Sequence, residues 1–535
     1  MNRRALSLSA ALLVFLVGAS PPGVASVVVE DFQAGIGLAD ALVGFSGVAF
    51  YDVDADGHRE ALYVSKQTIV AVEPGQDGEA MLTTLEFPDH VLDAVGTNLS
   101  GGVLAPYSLV VHDGDRDGQE ELVIVGARVV ALVPDGPYKL KDQKVAMPTL
   151  SGSSIRDAAS VDLNRDGWPD IVLATGLMAQ EVVGNLRASP GLALMNLGGG
   201  RYERQDIVPM PLAFNNGYTA VDVDDDGRVD LVESLDYSQI YGRSRVLFNR
   251  TDPGALVPSF ELSTHPFEHG TNGMGSAVGD LDQNGYLDIY TASIGYDALW
   301  MGQPDGVFEE RTLEAGIRHR LGLSANRSQW SPYFVDMDGD GWLDILVRFG
   351  GYGTDGQISE VMPVSPTGQD LIYRQKPDHT FERVTIPPME NPSSLGRTLA
   401  VGDVDADGSP DVLLGGGQGS VGLWRNQTPK SEEGPRLALQ LETTVSPSPP
   451  VGALVTARCG DQVQRRHLTT GGLRGSVCSP EVFLGWPGCT VSPEVDVRWP
   501  SGITSTHNLD PSAEVATVTE PLWRHRSSSD PTLVI

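Results

Sequence analysis

The sequence predicts an all-β protein: a seven-bladed β-propeller with a small C-terminal β-domain. Three observations predict this fold. An acidic loop motif recurs seven times, and each copy is followed by an apolar run rich in residues that favour strands. The copies start about 58 residues apart on average, which is room for four short strands and their turns, the content of one propeller blade. The 62 Gly and 36 Pro residues favour many turns between short strands over long helices.

The first 26 residues have the pattern of a secretory signal peptide. Arg3 and Arg4 precede an apolar run from Ala5 to Ala19, and small residues follow at 23–26. The run is shorter than the roughly 20 residues that a membrane-spanning helix needs, and no later stretch approaches that length. We therefore expect a chain that is secreted to the extracellular space or the periplasm and has no membrane span.

The chain is strongly acidic. Its 535 residues include 37 Lys and Arg against 70 Asp and Glu, which gives a formal net charge of −33. This charge excludes nucleic acid and anionic membranes as expected partners, because both attract basic surfaces. Hydrophobic residues make up 41% of the chain, too many for a disordered acidic protein. We therefore expect the acidic residues to lie where a cation neutralises them.

The acidic residues concentrate in the seven loop motifs, all within the predicted propeller at 27–426. Each loop has an acid or Asn at positions 1, 3 and 5, Gly at position 6 and an acid at position 9. The predicted ligands are Asp52, Asp54, Asp56 and Glu60 in loop 1; Asp113, Asp115, Asp117 and Glu121 in loop 2; Asp162, Asn164, Asp166 and Asp170 in loop 3; Asp222, Asp224, Asp226 and Asp230 in loop 4; Asp280, Asp282, Asn284 and Asp288 in loop 5; Asp336, Asp338, Asp340 and Asp344 in loop 6; and Asp403, Asp405, Asp407 and Asp411 in loop 7.

This spacing is typical of a calcium loop. Ca²⁺ takes about six to eight oxygen ligands, and carboxylates at positions 1, 3 and 5 of a tight turn can converge on one ion. Gly at position 6 permits the backbone reversal, and position 9 closes the shell. Mg²⁺ demands stricter octahedral geometry, and Zn²⁺ would require His or Cys at these positions. The sequence therefore predicts up to seven Ca²⁺ ions, one per loop.

The seventh repeat contains too few strands for a complete blade. Ser420 to Trp424 supplies its third strand, and a polar linker follows at 427–435. The missing fourth strand is available at the start of the predicted mature chain, in Val27 to Asp31. We therefore expect the ring to close between its two ends, which removes an exposed sheet edge.

The C-terminal part of the chain predicts a second β-domain at 436–520, followed by a flexible tail at 521–535. Short alternating runs such as Leu437 to Leu441 predict its strands. All three cysteines lie there, so an exported chain has room for one disulfide and one free thiol. The sequence leaves all three pairings open among Cys459, Cys478 and Cys489.

The seven loops resemble the FG-GAP or VCBS repeats of integrin α-type propellers. The segments Val451 to Ala457, Glu481 to Gly485 and Val495 to Gly502 resemble the ASPIC and UnbV domain. Together these motifs make the chain similar to the cartilage acidic protein family and its bacterial relatives over nearly all of the predicted mature length. The resemblance implies an extracellular propeller protein, and it does not imply a reaction.

The sequence predicts no catalytic residue and no organic cofactor. His265, Glu268 and His269 have the spacing of a zinc-protease signature, but Pro266 lies between them, so we predict a strand or loop there. Four sequons are candidate glycosylation sites in a host that modifies exported chains. They begin at Asn98, Asn249, Asn326 and Asn426.

The favoured function is a non-enzymatic extracellular binding, adhesion or scaffold protein whose partner is a protein or a glycan. The alternative is a calcium-dependent carbohydrate-active enzyme of the polysaccharide-lyase type, which would use one mouth of the propeller. Propellers serve both purposes, so the fold alone does not decide between them.

Overall fold

The computed structural model describes most of the chain and leaves out the predicted signal peptide and several connections. The described residues are 29–31, 47–65, 68–74, 80–91, 108–126, 129–148, 150, 154–176, 191–207, 214–236, 243–265, 267, 272–317, 328–350, 370–384, 395–417, 422–428, 436–469 and 475–522. Within these ranges, no helix is long and apolar enough to cross a membrane. The predicted tail beyond 522 and most of the predicted linker lie outside the described residues.

The region from 29 to 428 consists of short strands. They are β1 Val29–Asp31, β2 Gly47–Tyr51, β3 Glu60–Val64, β4 Ile69–Pro74, β5 Ala80–Thr84, β6 Ser108–His112, β7 Glu121–Val125, β8 Val129–Pro134, β9 Leu140–Gln143, β10 Ser154–Val161, β11 Asp170–Gly176, β12 Leu192–Asn196, β13 Tyr202–Asp206, β14 Phe214–Val221, β15 Asp230–Asp236, β16 Val246–Asn249, β17 Phe260–Leu262, β18 Asn272–Gly279, β19 Asp288–Ile294, β20 Ala298–Gln303, β21 Val307–Glu310, β22 Gln329–Val335, β23 Asp344–Phe349, β24 Leu371–Gln375, β25 Phe381–Val384, β26 Leu395–Gly402, β27 Asp411–Gly417 and β28 Gly422–Asn426.

These strands form antiparallel sheets of four, each taken in chain order from β2 onward. The first strand of each sheet contacts the first strand of the next, and β26 returns to β2, so the first strands surround a central channel. The prediction of an all-β, propeller-type fold is confirmed. The described residues contain seven such sheets, and the blade count of the complete chain stays a prediction.

The last sheet is completed by the N-terminal strand. β1 pairs antiparallel with β28, with Val29 opposite Asn426 and Asp31 opposite Trp424. The expected closure of the ring is therefore present in the described part of the N-terminal strand. Without β1, the outer edge of β28 would expose unpaired backbone groups.

The core of the ring lies between neighbouring sheets. Tyr51 and Leu62 of one sheet share a hydrophobic cluster with Leu122 and Ile124 of the next. Most sheets of the ring pack against a neighbouring sheet on each face. The second strand of each sheet is therefore a nearly continuous run of apolar residues. Every residue of β11, for example, is buried.

The C-terminal domain has its own core and two sheets. Its strands are β29 Arg436–Glu442, β30 Leu454–Cys459, β31 Gln462–His467, β32 Ser476–Val477, β33 Val482–Gly485, β34 Glu494–Arg498, β35 Thr504–Asn508 and β36 Val515–Thr519. One sheet has the order β33-β29-β36 and the other β31-β30-β34-β35. Trp486 and Trp499 lie in the core between them. Of the three pairings that the sequence left open, the structure has Cys459–Cys489, and Cys478 is free and buried.

The short strand β32 leaves the C-terminal domain and enters the ring. It pairs in parallel with β2, with Ser476 opposite Val48 and Val477 opposite Ala49. Because β2 is the first strand of its sheet, β32 lies on the channel side of that sheet. The C-terminal domain is therefore joined to the ring by backbone pairing as well as by side chains.

Candidate metal centres

The seven acidic loops connect the first and second strands of the seven sheets, so they lie at the same end of the ring. In loop 1, Asp52 accepts hydrogen bonds from the backbone N–H of Asp56 at 3.1 Å and of Gly57 at 2.9 Å. Ala55 and Gly57 both have left-handed backbones, with φ of 62° and 94°. Gly at position 6 suits this geometry because it has no Cβ to penalise a positive φ. The sequence did not predict the left-handed residue at position 4.

The loop geometry brings together the acids at positions 1, 3 and 9. In at least five loops their ligand oxygens lie within 4.8 Å of one another. These trios are Asp52, Asp54 and Glu60; Asp113, Asp115 and Glu121; Asp222, Asp224 and Asp230; Asp280, Asp282 and Asp288; and Asp336, Asp338 and Asp344. Three carboxylates at this spacing form the oxygen-rich site that a hard divalent cation prefers.

The acids at position 5 are not members of these trios. In loop 3, Asp166 Oδ1 accepts the N–H of Trp168 at 2.9 Å, and in loop 6 Asp340 Oδ1 accepts the N–H of Trp342 at 3.0 Å. One oxygen of each of these carboxylates therefore holds the turn. The other has a side-chain partner: Asp166 Oδ2 accepts from Asn164 Nδ2 at 3.0 Å, and Asp340 Oδ2 lies 3.5 Å from Arg374 Nη2. The ligand role predicted for position 5 stays a prediction.

The acids at position 9 also hold the loop to the sheet. Asp344 Oδ2 accepts the N–H of Met337 at 3.0 Å, and its Oδ1 accepts the N–H of Gln375 at 2.8 Å. Asp170, Asp230, Asp288 and Asp411 accept the equivalent pair of hydrogen bonds. Position 9 thus fastens the start of the loop to the third strand of the same blade.

The residues fit a calcium ion, because several ligand oxygens are buried and accept no hydrogen bond within the described residues. They are Asp54 Oδ1, Glu121 Oε1, Asp280 Oδ1 and Asp405 Oδ1. A buried carboxylate oxygen without a donor is costly unless a cation faces it.

The electrostatics of the loops agree with this fit. Burial, together with the charge of neighbouring loop carboxylates, raises the pKa of Glu60 to about 7 and that of Glu121 to about 8. Burial likewise raises the pKa of Asp344 well above its usual range, and Asp338 adds to the shift. Without a cation, the loop carboxylates therefore favour their protonated form. A bound divalent cation would stabilise the ionised form instead.

Arginines make the loops unequal. In loop 4, Arg250 Nη1 lies 3.1 Å from Asp226, and its Nη2 lies 3.2 Å from Asp224. In loop 7, Arg425 pairs with Asp405. Each of these guanidinium groups supplies positive charge to a predicted ligand carboxylate. Arg374 likewise pairs with Asp338 and Asp340 in loop 6. Loops 4, 6 and 7 therefore need less compensation from an ion than loop 1, whose ligand carboxylates pair with no arginine in the described residues.

A set of polar side chains that the sequence did not single out ties four of the blades to the loop before them. Asn249 Nδ2 donates to the carbonyl oxygen of Leu163 in loop 3 at 2.8 Å and to that of Val229 at 3.0 Å. The equivalent donors are Asn196, Gln375 and Asn426. A polar residue ending the third strand of each of these repeats is the signal that could have revealed them.

Two predicted glycosylation sites belong to this set and are wrong for the folded chain. Asn249 and Asn426 are 0% and 2% exposed, and both their amide nitrogens are hydrogen-bonded. Asn98 and Asn326 lie outside the described residues. His265 follows β17 and is exposed, whereas Glu268 and His269 of the protease-like spacing also lie outside the described residues.

The family comparisons follow the same division of the chain. A model described as FG-GAP-like repeat matches residues 222–291 and 280–347, which contain loops 4 to 6. A model described as ASPIC and UnbV matches residues 444–522. The chain carries FG-GAP-like repeats and an ASPIC and UnbV domain. The FG-GAP-like repeats therefore supply acidic loops 4 to 6, and the ASPIC and UnbV domain is the domain whose strand β32 enters the ring.

Solved structures similar to this FG-GAP-like chain are distant. One is an Agrocybe aegerita lectin that recognises non-reducing terminal N-acetylglucosamine; it is 15% identical, with 72% of this chain and 90% of that chain covered and a TM-score of 0.41. Another is virginiamycin B lyase from Staphylococcus aureus, 10% identical, with 75% and 98% covered and a TM-score of 0.38. Among curated protein sequences, none matches the chain.

Proposed function

We propose that this protein is a secreted, calcium-dependent binding protein of the extracellular space, with Ca²⁺ bound in the acidic loops of the ring. The observation that carries the proposal is the convergence of three carboxylates within 4.8 Å in each of five loops. When bound, Ca²⁺ supplies positive charge and oxygen coordination. The chain supplies the position 1, 3 and 9 carboxylates, already oriented by backbone hydrogen bonds.

The proposed role of the ion is structural. Buried carboxylates at this spacing repel one another, and an ion at each loop would turn that repulsion into attraction. A ligand that binds only the folded state stabilises it by mass action. For a dissociation constant of about 0.1 to 1 mM, typical of extracellular calcium modules, 10 mM Ca²⁺ contributes about 1.4 to 2.7 kcal/mol per site.

The partner is proposed to be an extracellular protein or glycan. The C-terminal domain lies against the loop end of the ring, so the opposite end of the ring and its outer strands are the surfaces left for a partner. The formal net charge of −33 favours a cationic partner or one bridged by calcium over an anionic one.

The test combines an ion count with a thermal melt of the full chain. We expect equilibrium dialysis to find several Ca²⁺ ions per chain and the melting temperature to rise with Ca²⁺ and fall with chelator. Asp115→Ala in loop 2 should reduce the ion count by about one. Asp89→Ala, which makes the same charge change at an exposed site outside the loops, should not.

Absence of bound Ca²⁺, together with a melting temperature unaffected by chelator, would contradict the proposed calcium binding. For the binding role, glycan and extracellular-protein arrays probed with calcium-loaded chain are expected to give a ligand that is lost on chelation. Arrays that give no ligand under either condition would contradict it.

A further inference from the structure

The C-terminal domain contacts the acidic loops through their backbone. In loop 2, the N–H of Asp113 donates to the carbonyl oxygen of Ser448 at 3.0 Å. In loop 7, the N–H of Asp403 donates to Glu481 Oε2 at 3.1 Å. Both donors are position 1 of a loop, where the first strand ends. The domain therefore binds the point from which each of these loops begins.

Loop 6 makes the most extensive contact of this kind, and two buried arginines provide it. Arg436 Nη2 donates to the carbonyl oxygen of Asp338, and Arg466 Nη2 donates to that of Gly341 at 3.0 Å. Both arginines are 6% exposed. Arg436 also donates to Ser409, and Arg466 also donates to Gln464. Because a buried guanidinium is costly when its donors lack acceptors, both arginines favour a loop 6 whose carbonyls point at them.

The direction of those carbonyls depends on the shape of loop 6. Gly339 and Gly341 have left-handed backbones, with φ of 72° and 90°. The same loop holds the carboxylates of Asp336, Asp338 and Asp344 within 4.8 Å of one another. Arg374 pairs with two acids of loop 6, its Nε 2.5 Å from Asp338 Oδ2 and its Nη2 3.5 Å from Asp340 Oδ2, so one guanidinium offsets part of the charge of the four carboxylates. A cation among these carboxylates holds the turn closed, whereas the repulsion that remains without it favours opening. Opening the turn would move the carbonyls away from both arginines.

A buried thiol reports whether the domain is docked. Cys478 follows β32, and its Sγ accepts the N–H of Val401, on β26 of the ring, at 3.3 Å. The other two cysteines of the chain form the disulfide, so Cys478 is the single free thiol. It is 9% exposed and packs in a cluster with Phe50 and Leu399 of the ring. A thiol reagent can therefore reach it only when β32 leaves the channel.

We propose that the C-terminal domain is a calcium-dependent latch on the ring, controlled by loop 6. An ion in loop 6 holds the two carbonyls that Arg436 and Arg466 bind, and loss of that ion releases the domain from the loop end of the ring. The latch rests on the calcium binding proposed above. By thermodynamic linkage, docking strengthens calcium binding in loop 6 by the same factor by which calcium strengthens docking.

The test compares two loops that differ in their contact with the domain. Loops 3 and 6 both have Trp at position 7 and Asp at position 5, but within the described residues loop 3 makes no hydrogen bond or ion pair with the C-terminal domain. The variants are Asp340→Asn in loop 6 and Asp166→Asn in loop 3. Asn retains the Oδ1 that accepts the position 7 N–H, and it is the native residue at position 5 of loop 5.

The readouts are the rate at which a maleimide labels Cys478 in the full chain and the number of bound ions by equilibrium dialysis. Both are measured well below the melting temperature and at the lowest Ca²⁺ concentration that fully loads wild type, because removal of one carboxylate charge weakens the binding of a cation in that loop. We expect Asp340→Asn to raise the labelling rate about tenfold and Asp166→Asn to leave it within about twofold. Equal rates in the two variants, whether both raised or both unchanged, would overturn the latch.

The ion count separates the two proposals. If wild type binds Ca²⁺ and each variant loses about one ion while labelling of Cys478 does not change, the latch alone fails. If wild type binds no Ca²⁺, both proposals fail. A second pair of variants tests the arginines: Arg466→Ala should speed labelling, whereas Arg458→Ala, which removes an arginine paired with Asp496 inside the domain, should not.

Discussion

Removal of the amide of Asn249 tests whether the ring depends on the hydrogen bonds that tie each blade to the preceding loop. Asn249 is 0% exposed, and its Nδ2 donates to the carbonyl oxygens of Leu163 and Val229 at 2.8 and 3.0 Å. Its Oδ1 accepts the N–H of Thr251 at 2.9 Å. Asn249→Ala would leave two carbonyl groups and one N–H without partners in the interior.

The expected loss follows from these three hydrogen bonds. At a net value of about 1 kcal/mol each, the substitution costs about 3 kcal/mol, and the desolvation of the orphaned groups raises this toward about 5 kcal/mol. In a ring of about 400 residues, an unfolding entropy of about 2.1 cal/mol/K per residue means that about 1 kcal/mol shifts the melting temperature by about 1 °C. We therefore expect a decrease of about 4 to 6 °C at saturating Ca²⁺.

Differential scanning calorimetry at one scan rate measures this decrease. Asn508→Ala, which truncates an exposed Asn of the C-terminal domain, is the matched control and should shift the transition by less than about 2 °C. If Asn249→Ala melts within about 2 °C of wild type, the amide ties do not stabilise the ring and the reasoning is refuted.

Three further predictions concern pH, ring closure and the disulfide. Because burial raises the pKa of Glu60 to about 7 and of Glu121 to about 8, the calcium-free folded chain holds protons that the unfolded chain has lost. Its stability should fall from about pH 5 to 8, and the calcium-induced rise in melting temperature should grow over that range; a smaller rise at about pH 8 would contradict this. Deleting 27–33 should lower the melting temperature by more than about 5 °C, and an unchanged melt would argue against closure by β1. The double variant Cys459→Ser and Cys489→Ser removes the disulfide, which closes a loop with a sequence separation of 30. Chemical denaturation should show that the C-terminal domain is destabilised by about 3 to 4 kcal/mol. An unchanged denaturation midpoint would refute a stabilising role for the disulfide.

The loops and the ring closure could be predicted from sequence because their signals are local or repeated. The spacing of Asp52, Asp54 and Gly57 fixes a turn within a few residues, and the same spacing recurs in every copy. The shortage of strands in the seventh repeat left one place for Val29–Asp31, where the structure has it. The prediction that ions occupy all seven loops still awaits measurement.

The contacts between the ring and the C-terminal domain could not be predicted in this way. Arg436, Arg466 and Arg498 are scattered through strands with no common spacing, and each contact joins residues about 100 or more apart in the chain. A surface arginine and one that binds a distant loop have the same local sequence pattern. The pairing of β32 with β2 could not be predicted either. β32 has only two residues, which is too short for an alternating pattern of apolar and polar residues.

The closing pair of strands also constrains how the chain reaches its native state. β1 leaves the ribosome about 400 residues before its partner β28. During synthesis β1 therefore has no strand to pair with, and the ring stays an open arc. Contacts of such high sequence separation form slowly, and the unfilled edge of β28 can pair with another chain in the meantime. Joining the two ends is therefore the step at which folding and aggregation compete.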